Sequence, residues 1–75
     1  PSFLAEQGYK QIIKQIKSIK QAQLELENRY QKVKNKSNPN EDELLLIDNY
    51  EDMKESLIDE LSIAKRVQRQ IQLNR

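Results

Sequence analysis

Asp48, Glu51, Asp52, Glu55 and Asp59 stand close together in one stretch of the chain. Carboxylates three and four residues apart share one face of a helix. Such a face is a place to look for a divalent cation or for proton transfer. The carboxylate sites of helical bundles pair a glutamate with a histidine three residues on, and this chain has no histidine. The run Asp48-Asn49-Tyr50-Glu51-Asp52 has neither the glycine nor the ligand spacing of an EF-hand loop. Ser2, Ser18, Ser37, Ser56 and Ser62 are candidate nucleophiles, but only lysines and carboxylates are present to activate them. With no cysteine there is no thiolate, disulfide or zinc-thiolate site. A single glycine cannot build a phosphate-binding loop. The expectation is a protein that is not an enzyme, with no catalytic residues, no cofactor and no metal.

The same residue types are good helix builders. The 75 residues are 33% charged yet carry a net charge of only +1, with one glycine and two prolines. That is the composition of long helices in a single small domain. Ala5, Tyr9, Ile12, Ile16, Ile19, Gln23, Leu26, Tyr30 and Val33 alternate spacings of four and three, with Gln23 the one polar member. Leu46, Tyr50, Met53, Leu57, Glu60, Ala64, Val67 and Ile71 repeat the pattern, interrupted by Glu60. Two such heptad seams predict two helices packed as in a coiled coil.

Between the seams, Asn38 suits an N-cap, Pro39 the first helical position, and Glu41 the third. Glu41, Asp42 and Glu43 complement the positive end of one helix dipole, and Lys32, Lys34 and Lys36 the negative end of the other. A short link between long helices makes them antiparallel. The prediction is a helix over about 3–34, a turn over 35–39 and a helix over about 39–73. Zipped about Asn38, the seams pair Tyr30 with Leu46, Leu26 with Tyr50, Gln23 with Met53, Ile19 with Leu57, Ile16 with Glu60, and Ile12 with Ala64. Gly8 weakens the first helix, so residues 1–7 are expected to fray or to dock through Phe3 and Leu4, with Ser2 as a candidate cap.

Apolar residues remain after both seams are filled. Leu44, Ile47, Ile58 and Leu61 form a second line, interrupted by Glu51 and Lys54, and Ile13 and Leu24 occupy corresponding places on the first helix. Wide apolar faces suit bundles of more than two helices. Ile13, Leu24, Leu44, Ile47, Ile58 and Leu61 are therefore the expected partner face. The fold expected is an all-α antiparallel coiled-coil hairpin that dimerises into a four-helix bundle.

Charge is divided along the hairpin. Residues 1–21 and 61–75 hold eight bases against Glu6 alone, net +7, and residues 22–60 hold eleven acids against five bases, net −6. Lys10, Lys14, Lys17, Lys65, Arg66 and Arg69 are candidate contacts for phosphates or an acidic partner. Tyr9 is the one aromatic among them, and it lies on the seam, which makes a helical protein partner the first choice and a nucleic acid the second.

No apolar run approaches the ~20 residues that span a bilayer, and the first residues lack the pattern of a signal peptide. The Asn35-Lys36-Ser37 sequon is accordingly read as unused. The expected setting is cytoplasmic, with the nucleus as the other compartment. A chain that opens on Pro1 rather than Met is also what a segment of a longer protein would show.

Two partial likenesses point toward transcription. Gly8-Tyr9-Lys10-Gln11-Ile12, followed by Ile16, Ile19 and Lys20, is similar in spacing to the first helix of Gre-type transcript-cleavage factors. Those carry a coiled-coil finger with acidic residues at a tip that enters RNA polymerase. The likeness covers about a third of the chain, and would make Glu41, Asp42 and Glu43 the tip acids. The family's Gly-Asp-Leu and Glu-Asn tip signature is replaced here by Asn38-Pro39-Asn40. The stretch "SLIDELSIAKRVQRQI" resembles the helical hairpin that precedes the DNA-binding part of some phage-type transcription regulators. Both resemblances imply a transcription regulator, which stands as the alternative to a helical interaction or oligomerisation module.

Overall fold

The computed structural model describes residues 3–74, with side chains from residue 6 onward. The seam position of Ala5, the docking of Phe3 and Leu4, and the cap at Ser2 lie outside the described residues and side chains. Two helices make up the described chain, α1 (Phe3–Val33) and α2 (Glu41–Leu73). They pack side by side into a rod of 56 × 15 × 15 Å. At ~1.5 Å per residue each helix is roughly 45–50 Å long, so the pair runs nearly the whole length of the rod.

The turn is built one position at a time. Lys34 N donates to Tyr30 O at 2.9 Å, and Lys36 N to Val33 O at 3.1 Å, closing the last turn of α1. Helix α2 begins two residues later than the sequence predicts, because Asn40 rather than Asn38 is its N-cap. Asn40 Oδ1 accepts from Glu43 N at 2.8 Å, and Asn40 N donates to Glu43 Oε1 at 3.0 Å. This reciprocal pair satisfies two helix-end donors at once. Lys36 Nζ lies 2.7 Å from the other Glu43 oxygen, an ion pair across the turn. Asn38 with Glu41 offers the same types at the same spacing. The choice falls on Glu43 because the turn also brings Lys36 to it. The Lys36 contact first, and the Asn40 backbone second, hold the Glu43 carboxyl below its ordinary pKa.

The core is a thin strip. Ile12, Ile16, Ile19 and Ala64 form a buried cluster, with Tyr9, Leu57, Leu61 and Ile71 packed against it. Leu26 and Tyr50 extend the buried line toward the turn. The pairing differs from that predicted by about one helical turn. Tyr30 stacks on Tyr50, four residues beyond Leu46, and Gly8 lies opposite Ile71.

The seam of α2 also takes a different phase. Tyr50, Leu57, Ala64 and Ile71 face inward as expected. Their companions include Ile47, Leu61 and Gln68, all half-buried; of the predicted companions Leu46 is half-buried too, whereas Met53, Glu60 and Val67 are exposed. Leu61 against the isoleucine cluster buries more apolar surface than Glu60 would, which decides the phase. Glu60 therefore does not face Ile16, nor Met53 Gln23.

Gly8 does not break α1, which runs unbroken through it. A methyl group there would meet Ile71 Cδ1 at 3.9 Å, an ordinary contact. Gly8→Ala should raise stability by about 1 kcal/mol, measured by thermal unfolding. Asn40→Ala should lower it by about 1 kcal/mol, with Asn38→Ala near neutral, and the reverse order would return the cap to Asn38.

Candidate interaction face

The part of the rod nearer the turn is fixed by an aromatic and acidic layer. The rings of Tyr30 and Tyr50 stack at 3.7 Å between centroids and 10° between planes. The Tyr50 hydroxyl donates to Glu27 Oε2. Gln31 Nε2 donates to the other Glu27 oxygen at 2.8 Å. Lys54 Nζ sits 5.8 Å from the Tyr50 ring centroid, within cation–π range. The hydrogen bond from Tyr50, then that from Gln31, lowers the Glu27 pKa. The same bond to Glu27, followed by desolvation and the Glu27 charge, raises the Tyr50 pKa to about 12. A phenol held neutral this firmly is a register peg rather than a base or nucleophile at neutral pH.

Two recesses lie along the contact between the helices. Leu26 and Leu57 line both of them. One is an open groove of about 690 Å³ with Ala22, Arg29, Leu46 and Met53 among its walls. The other, about 190 Å³, is walled by Gln23, Glu27, Tyr50, Lys54 and Ile58. Residues seven apart on a helix keep nearly the same bearing. The line Leu46-Met53-Glu60-Val67 therefore runs along the groove side. The line Leu44-Glu51-Ile58-Lys65 runs along the other.

The six residues expected to form a partner face divide into two groups. Leu24, Leu44 and Ile58 are exposed, at 56%, 46% and 47%. Ile13 is half-buried. Ile47 is also half-buried and turned toward the seam, while Leu61 packs on the isoleucine cluster. Met53 and Val67, read in the sequence as seam residues, are instead exposed. The signal that could have found them is the competing line Ile47, Leu61 and Gln68, one residue out of phase.

Lys10, Lys14, Lys17, Lys65, Arg66 and Arg69 are all exposed, and the hairpin brings them to its open end. Tyr9 is half-buried and accepts from Gln72 Nε2 at 3.3 Å, so its ring is not presented for base stacking. Among the described residues, no three carboxylates converge on a place that could hold a metal ion, and no helix is long and apolar enough to cross a membrane. Compared with protein-family models, curated proteins and solved structures, the chain gave no match.

The Tyr50–Glu27 bond carries a pH signature. The fold favours the neutral phenol, so its contribution to stability is complete below pH 10 and lost as pH rises through about 12. The carboxylate side has the opposite sign. Its contribution is complete above the ordinary glutamate range and lost as pH falls through the lowered Glu27 value. Absorbance titration at 295 nm should show a late tyrosinate phase near pH 12 that Tyr50→Phe removes. A late phase that survives the substitution would refute the bond.

Proposed function

We propose that the chain is a non-enzymatic helical interaction module, which docks another helical protein surface along the Leu24, Leu44 and Ile58 side. One observation carries this reading. The hairpin exposes 6033 Å², whereas a compact monomer of 8.9 kDa is expected to expose about 4,800 Å². The difference, about 1,200 Å², exceeds the ~800 Å² that each partner contributes to a standard interface. Large apolar side chains contribute to the exposed area, among them Leu24, Leu44 and Ile58. Their burial by a partner would add about 25 cal/mol per Å² of apolar area, before the costs of association. Coiled-coil packing of the seam and completion of a four-helix bundle belong to this proposal. The basic open end steers the encounter more than it holds the complex.

The second reading is a regulator that touches nucleic acid or RNA polymerase. It draws on the meeting of two basic stretches at one end of the hairpin, around Lys10, Lys14, Lys17, Lys65, Arg66 and Arg69.

Photo-crosslinking in cells that make the protein separates the two. A photoreactive amino acid at Leu24, Leu44 or Ile58 should capture a polypeptide, whether this chain or another. A crosslinker at Arg66 that captures nucleic acid, with none of the three apolar positions giving a protein adduct, would replace the first reading with the second.

A further inference from the structure

We propose that the partner of this face is a second copy of the chain, docked antiparallel with the two-fold axis beside Ile58. The inference rests on the reading of the chain as an interaction module and names its partner. It comes from a self-complementary pattern on α2. Ile58 lies one residue from the midpoint of Glu41–Leu73. Glu51 stands one heptad before it and Lys65 one heptad after it, on the same line. Asp48 precedes Ile58 by ten residues, and Arg69 follows it by eleven.

When α2 crosses a reversed copy of itself at Ile58, each residue faces the one equally far on the other side. Ile58 meets Ile58. Glu51 meets Lys65 of the second copy, and Asp48 comes within a residue of facing Arg69 of the second copy. Two-fold symmetry makes every such pair twice. The ion pairs flank the apolar centre at ~10 Å on either side, from seven residues at ~1.5 Å each.

Helix α1 agrees with this arrangement. Gln23 and Leu26 share a recess with Leu57 and Ile58, so Leu24, 56% exposed, stands at the same level of the rod. The reversal also lays the basic open half of each copy on the acidic bend half of the other. A parallel mate would set like charge on like along the full length. The α2 line on the groove side, Leu46-Met53-Glu60-Val67, carries one acid and no base, so it has no such pairing with a reversed copy of itself.

Sedimentation equilibrium of the full chain with its charge-reversed variants tests the assignment, with helicity followed by circular dichroism. The parent should be a dimer. Glu51→Lys should weaken it about tenfold, as should Lys65→Glu, because each reversal acts at two symmetric contacts. The double variant Glu51→Lys/Lys65→Glu should return to within about threefold of the parent, since the pair is re-formed with its signs exchanged. Glu51→Lys relieves the like-charge pair with Glu55 but creates one with Lys54, so the helicity measured on the same samples separates a weaker interface from a weaker helix.

A chain that remains monomeric to about 1 mM overturns the second copy as partner, while a crosslink from Ile58 to a different protein would keep the interaction module. A dimer that ignores both reversals and Ile58→Glu overturns the assigned face.

Discussion

Two helices packed against each other can each bury one stripe and no more. Among the described residues no third element covers their flanks, and much of this hairpin's character follows from that limit. Among the described side chains, six apolar residues reach real burial: Ile12, Ile16, Ile19, Leu26, Tyr50 and Ala64. The other described apolar side chains sit at the margins of the seam or outside it. A rod 15 Å thick has almost no interior in which a reactive group could be desolvated and shielded. What the fold offers is lateral area on a stiff support.

Register is held at two places along that stripe. At the turn, Glu43 ties together Asn40, the first turn of α2 and Lys36 in the link that follows α1. A few helical turns further along, Tyr50 is engaged at once by the Tyr30 ring, the Glu27 carboxylate and the Lys54 ammonium. The isoleucine cluster between α1 and α2 supplies apolar contact without direction, and isoleucines tolerate sliding by a turn. The polar contacts do not. Specificity of pairing thus rests on a few directional groups, and cohesion on the isoleucines.

The two helices, the bend and the antiparallel arrangement were legible in the primary structure, since heptad spacing and an Asn-Pro-Asn break are strong local signals. The phase of α2 was not. Two lines flank the positions of Tyr50, Leu57, Ala64 and Ile71, one through Met53 and Glu60, the other through Lys54 and Leu61. Each is broken by a charged residue, so periodicity alone ranks them nearly equal. Packing of Leu61 on α1 decides between them, and that contact spans more than forty residues of chain. The cap was ambiguous for a similar reason, because Asn38 and Asn40 are each followed three residues later by a glutamate. Of the partner face, the exposed places of Leu24, Leu44 and Ile58 could be read ahead. The inward turn of Ile47 and Leu61 could not, because it depends on the phase.

The antiparallel pairing has a consequence for the field around the molecule. The peptide dipoles of α1 and α2 point in opposite directions and nearly cancel. What remains along the rod is set by side chains alone, positive at the open end and negative at the bend. The hairpin is in effect a bar magnet of charge, with its polarity written entirely in substitutable residues. At physiological salt, fields fade within ~8 Å, far less than the 56 Å length. Two such rods feel each other's polarity only once they lie nearly side by side. The ionic medium thereby acts as a filter: it silences distant, end-on encounters and leaves lateral ones able to sort head from tail.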